Sequence, residues 1–174
     1  MLQWLASDAR PHVQDIVFFS LFGLILIYGA GPERAIAAVW MILFEGIQRI
    51  YKGIWEIGYQ LEKVDLFYAS MDILACAAFI AVALNANRNY PLIIAAFQLL
   101  IVAAHLARGL IEAISPIAYA TMALATGWLQ LAVLGVGLIR HIQRQRQYGP
   151  YREWRLPIPK LLETRAQDRG ARQW

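Results

Sequence analysis

The sequence predicts an all-α fold, a polytopic bundle of transmembrane helices, and three observations carry that expectation. Hydrophobic residues make up 59% of the 174 and charged residues only 16%, against about a quarter charged in soluble domains. The apolar residues are gathered into stretches close to the twenty or so needed to cross a hydrocarbon core. The charge is segregated as well. Residues 1–139 hold seven Lys+Arg against nine Asp+Glu and residues 140–174 hold nine against three, leaving −2 on the body and +6 on the tail. Residues 1–139 are therefore read as the bundle and 140–174 as a basic cytoplasmic tail.

Five spans are expected, at about 14–31, 34–64, 66–87, 90–110 and 116–139. In the first, residues 16–32 carry no charge. Asp8 and Asp15 against Arg10 leave the N-terminus without the positive region of a cleaved signal peptide, so this span is expected to be retained. Gly29-Ala30-Gly31-Pro32 then makes a tight turn, with Pro32 suited to the opening of the next helix. The second span is apolar from Ala35 to Phe44, and then Glu45, Arg49, Lys52, Glu56 and Lys63 draw one stripe down a helix. With no internal proline it reads as one continuous helix of roughly 45 Å. The third span contains a single charge, Asp72, and ends in the polar turn 85–89. The fourth, opened by Pro91, is free of Asp, Glu, Lys and Arg from 89 to 107, and the fifth is uncharged over 27 residues, 113–139. Ala103 with Ala107, and Ala123 with Gly127, suggest close packing of the last two spans. The single cysteine, Cys76, lies in an apolar run and reads as a small packing residue.

Basic residues favour the cytoplasmic side of span ends. Arg140, Arg144 and Arg146 accordingly put the C-terminus inside, and five spans put the N-terminus outside. Arg49, Lys52, Lys63 and Arg108 then fall outside, accompanied by Glu45, Glu56, Glu62, Asp65 and Glu112. The alternative is four spans, with residues 34–64 lying in the interface.

Ionisable groups inside a bilayer cost about 2.5–3.5 kcal/mol at the helix centre on insertion scales, so each invites a functional reading. Asp72 is expected to face protein, with a basic or hydroxyl partner on the second span. Two uses are open to it, a structural hydrogen bond or a proton or ion site. Glu45, Arg49, Lys52 and Glu56 read as one wall of a polar route or an interface, or as the wetted end of a helix. Gln98, His105, Arg108 and Glu112 share a face of the fourth span. His105 is a poor haem ligand without a second facing histidine, since His12 and His141 lie at or beyond span ends. The sequence shows no metal-ligand pair at helical spacing, phosphate-binding loop or nucleophile motif, and neither a catalytic residue nor a cofactor is expected. In the tail, Arg140, Arg144, Arg146, Arg152, Trp154 and Arg155 read as anchors for anionic lipid headgroups rather than for nucleic acid.

The segment Tyr28-Gly29-Ala30-Gly31-Pro32-Glu33-Arg34-Ala35 resembles a Gly-x-x-Pro-Glu-Arg turn between the first two helices of small polytopic membrane proteins of alphaproteobacteria. The resemblance covers eight residues. It implies a bacterial origin and carries over no activity. The sequence thus leads to an accessory or self-associating scaffold subunit, in a homo-oligomer or a membrane complex. An oligomeric channel, transporter or holin-like pore with Asp72 and the charged stripe along its route is the alternative. A haem- or quinone-binding protein is the third reading.

Overall fold

The computed structural model describes residues 9–55, 65–111 and 114–155, and within them the side chains of residues 13–51, 53–54, 65–111 and 114–155. Helix α1 spans Ala9–Tyr28. After the turn at Gly29-Ala30, α2 (Gly31–Val39) runs into a π-helical segment (Trp40–Ile47) and on into α3 (Gln48–Trp55). Three long helices follow, α4 (Leu66–Asn85), α5 (Tyr90–Leu110) and α6 (Pro116–Tyr148). The described residues are all-α apart from one isolated antiparallel bridge, Ala86 with Trp154.

Among the described residues α4, α5 and α6 are long and apolar enough to cross a membrane, with mean hydropathies of 2.0, 2.0 and 1.8 over their most apolar stretches. Residues 13–28 of α1 form a shorter apolar helix. At 33 residues, α6 is about 50 Å long and overshoots a hydrocarbon core of about 30 Å. Its uncharged stretch ends at residue 139, where the basic residues begin. The second expected span is helical without interruption as far as Trp55, although the π register over eight residues departs from a regular α-helix. Its remainder, 56–64, lies outside the described residues.

The elements start where local chemistry favours them. Asp65 caps α4 by accepting the Phe67 amide at 2.8 Å, and α2, α5 and α6 each carry proline in the first turn, where a missing N–H costs nothing. Helix α5 packs between α4 and α6, and α1 and α2 close over α6 and α4. Phe18, Ile25, Ile36, Phe79, Ile94 and Leu134 are fully buried between them. Trp40 of the π segment stacks on Phe18 with ring centroids 5.6 Å apart. Lipid is as apolar as these side chains, so their gain in a membrane is dispersion from close packing rather than removal from water.

The small residues contribute differently from the sequence expectation. Ala103 is exposed and Ala107 half-buried, while the buried Gly127 faces Gln14 and Trp40, not α5. The tight α5–α6 approach is at Gly137, where a Cβ would come within 2.9–3.1 Å of the Tyr90 ring. Periodicity locates a face but not the helix that meets it.

Candidate functional site

Two buried polar clusters lie at opposite ends of the bundle. The first is on α4, α5 and α6, toward the 111–115 connection. Asp72, second turn of α4, is 8% exposed and its carboxylate points into the bundle. The Gln98 amide donates to Asp72 Oδ1 at 2.7 Å and to the Asp72 carbonyl at 3.2 Å. His105, two turns further along α5, places Nε2 2.7 Å from Asp72 Oδ2, and its Nδ1 lies 2.6 Å from the Tyr119 hydroxyl. With a carboxylate at Asp72, Nε2–H donates to it, and the Nδ1 of a neutral ring accepts from Tyr119. The Gln130 amide donates to Gln98 Oε1 at 2.8 Å, and its own oxygen is buried with no partner among the described residues. The seven-residue step from Gln98 to His105 is what lets one helix bracket the carboxylate from two turns.

The Asp72 partners correct the sequence expectation, since they come from α5 and not from the second span. The face of α4 that carries Asp72 meets the Gln98–His105 face of α5, and interhelical hydrogen bonds there offset the cost of a carboxylate in hydrocarbon. Toward the other end the bundle is filled by Phe79, Ile94 and Leu134, so the polar chain stops at Gln130.

The second cluster gathers the start of α2, the α4–α5 turn and the residues at and after the end of α6. The Arg88 guanidinium, 7% exposed, is paired with the fully buried Glu33. Glu33 also accepts the Ala30 amide at 3.2 Å, a carboxylate on the N-terminus of its own helix. The other arm of Arg88 reaches His141 Nδ1 at 3.1 Å, and the Tyr151 hydroxyl is 2.8 Å from the same nitrogen. Arg144 lies over the Tyr151 ring, 4.4 Å from its centroid. The chain after α6 then folds back as a strap. Its backbone pairs with the α4–α5 turn (Asn87 N–H to the Glu153 carbonyl, 3.0 Å, and Arg155 N–H to the Asn85 carbonyl, 2.8 Å). The Glu153 carboxylate accepts the Gly31 amide at 2.8 Å. A side chain at Gly31 would run into the Trp154 indole, so only glycine fits there. Beyond the uncharged stretch of α6, burial and then the Arg88 charge hold His141 below the ordinary imidazole range.

The structure does not bring the sequence-predicted residues into one place. Asp72 and His105 meet. Arg108 is half-buried and donates to the Ile114 carbonyl, closing the α5–α6 turn. Arg49 instead bridges Glu45 at 2.5 Å and Asp15 of α1 at 2.7 Å, a clasp between α1 and the π segment. Glu56, Glu112 and the Lys52 side chain lie outside what is described. Arg140, Arg144, Arg146, Arg152 and Arg155 are exposed. Trp154, expected as a headgroup anchor, is 37% exposed and has its indole beside Gly31 within the strap. The second cluster went unrecognised in the sequence beyond its turn motif. The available signal was Glu33 in the first turn of a helix with an arginine, Arg88, in a turn expected at the same end.

No protein-family model, curated protein or solved structure matches the chain.

Proposed function

We propose that the chain is a non-enzymatic accessory or self-associating scaffold subunit of a bacterial inner membrane, with its C-terminus cytoplasmic. One observation supports this above others. The polar side chains inside the bundle hydrogen-bond to one another, from Tyr119 through His105, Asp72 and Gln98 to Gln130. Both nitrogens of His105 and both carboxylate oxygens of Asp72 are engaged, which leaves little for a haem iron or a substrate to take. A hydrogen-bonded set of this kind locks three helices in one register and leaves the outer faces of α1–α3 to partners. The basic tail beyond residue 139 supports the orientation. Native mass measurement in mild detergent tests the assembly: a homo-oligomer or a co-purifying membrane subunit is expected, and a lone 19.7 kDa chain under all mild conditions overturns it. A C-terminal reporter active only in the periplasm overturns the orientation.

A second reading is favoured by the run from Tyr119, in the first turn of α6, through His105 to Asp72. Such a chain of hydrogen bonds can load a proton from one side. It makes a one-sided proton site rather than a pore, because Phe79, Ile94 and Leu134 fill the remaining depth.

A further inference from the structure

A cavity of about 580 Å³ lies between the α1–α2 turn and the end of α6, with Arg34, His141, Gln145 and Arg146 among its polar walls and Ile27 and Ile142 among its apolar ones. The orientation of His141 follows from its neighbours. A guanidinium can only donate, so the contact from Arg88 Nη2 makes His141 Nδ1 an acceptor, and the proton of the neutral ring sits on Nε2. The residue is 6% exposed and lines the cavity. Arg34 gives one nitrogen to the Leu26 carbonyl at 3.1 Å and keeps the rest of its fork, and Arg146 is exposed. The one carboxylate in the wall, Glu153, already accepts the Gly31 amide. Two guanidiniums, an amide and an imidazole thus line the cavity beside one engaged carboxylate.

We propose that this cavity binds the phosphate of an anionic phospholipid headgroup. Donors of this kind suit a phosphodiester. A lipid is favoured over free phosphate because apolar Ile27 and Ile142 share the wall, just past the membrane-crossing part of α6, where headgroups lie. The inference rests on the membrane reading, which is checked separately by recovery of the chain in alkali-washed membranes.

The test uses the full chain, delipidated in mild detergent and titrated with phosphatidylglycerol or phosphatidylcholine, with bound lipid counted by native mass spectrometry. Wild type is expected to retain one phosphatidylglycerol with about tenfold preference over phosphatidylcholine. The double variant Arg34→Gln/Arg146→Gln should lose that preference, and Arg140→Gln/Arg152→Gln, with the same loss of charge outside the cavity, should keep it. His141→Gln, which keeps a donor, should weaken binding less than His141→Phe. Equal losses in the two double variants would mean diffuse attraction and overturn the site. Absence of any preference overturns it too, and displacement of the lipid by millimolar inorganic phosphate overturns the lipid assignment.

Discussion

Removing either member of the buried Glu33–Arg88 pair should destabilise the protein far more than any surface ion pair would. In Glu33→Ala the guanidinium, 7% exposed in the wild type, keeps its His141 contact but loses the paired carboxylate, and stranding a buried charge in this way costs about 3–5 kcal/mol. Arg88→Ala strands Glu33, which still accepts the Ala30 amide on a helix N-terminus, so its cost should fall at the lower end, about 3 kcal/mol. The double variant removes both charges, and its cost should be below the sum of the singles by about 1–3 kcal/mol. For a chain of this size each kcal/mol corresponds to about 2–4 °C in melting temperature, so each single variant should melt roughly 6–20 °C lower. The buried Cys76, the chain's single cysteine, provides the assay, since its thiol becomes reactive to a fluorogenic maleimide only as the bundle opens. Shifts under about 2 °C in both singles, or strict additivity in the double, would refute the claim that the pair is a coupled, desolvated unit.

Three further outcomes follow from the geometry. Gly137→Leu should push the Tyr90 ring off α6 and lower stability by about 1–3 kcal/mol, whereas Gly23→Leu, where a Cβ meets nothing within 4 Å, should leave the melting temperature unchanged. His141 sits among Arg88, Tyr151 and Glu33, with Arg34, Arg146 and Glu153 around the adjoining cavity. Its folded-state value is lowered, so its stabilisation is fully present above the unfolded value of about 6.5 and is lost as the pH falls through that region; a melting temperature that declines below about pH 6.5 in wild type, and less so in His141→Gln, is expected. Gly31→Ala should loosen the strap through the clash with Trp154, read as faster proteolysis after α6 with the helices intact.

Much of the helical layout is legible in the sequence because uncharged runs of this length have few alternatives to apolar helices. That Asp72 turns inward is legible from cost alone, and the shared face of Gln98 and His105 from their spacing. The meeting of those two faces is not, because every helix of an apolar bundle presents several equivalent sides. The Glu33–Arg88–His141 cluster is harder still, as its ion pair and its imidazole contact join residues 55 and 53 positions apart. The π segment leaves no mark on hydrophobic periodicity, and Glu45 and Arg49 pair across four residues in spite of it.

The central claim is that the bundle's internal polar groups hold helices together and conduct nothing. Proteoliposomes containing the purified chain and a pH-sensitive dye, given a pH gradient and a potassium diffusion potential, test it most directly. The account predicts a proton leak no greater than that of protein-free vesicles, for wild type and Asp72→Asn alike. A wild-type flux that Asp72→Asn abolishes while its melting temperature is preserved would contradict it.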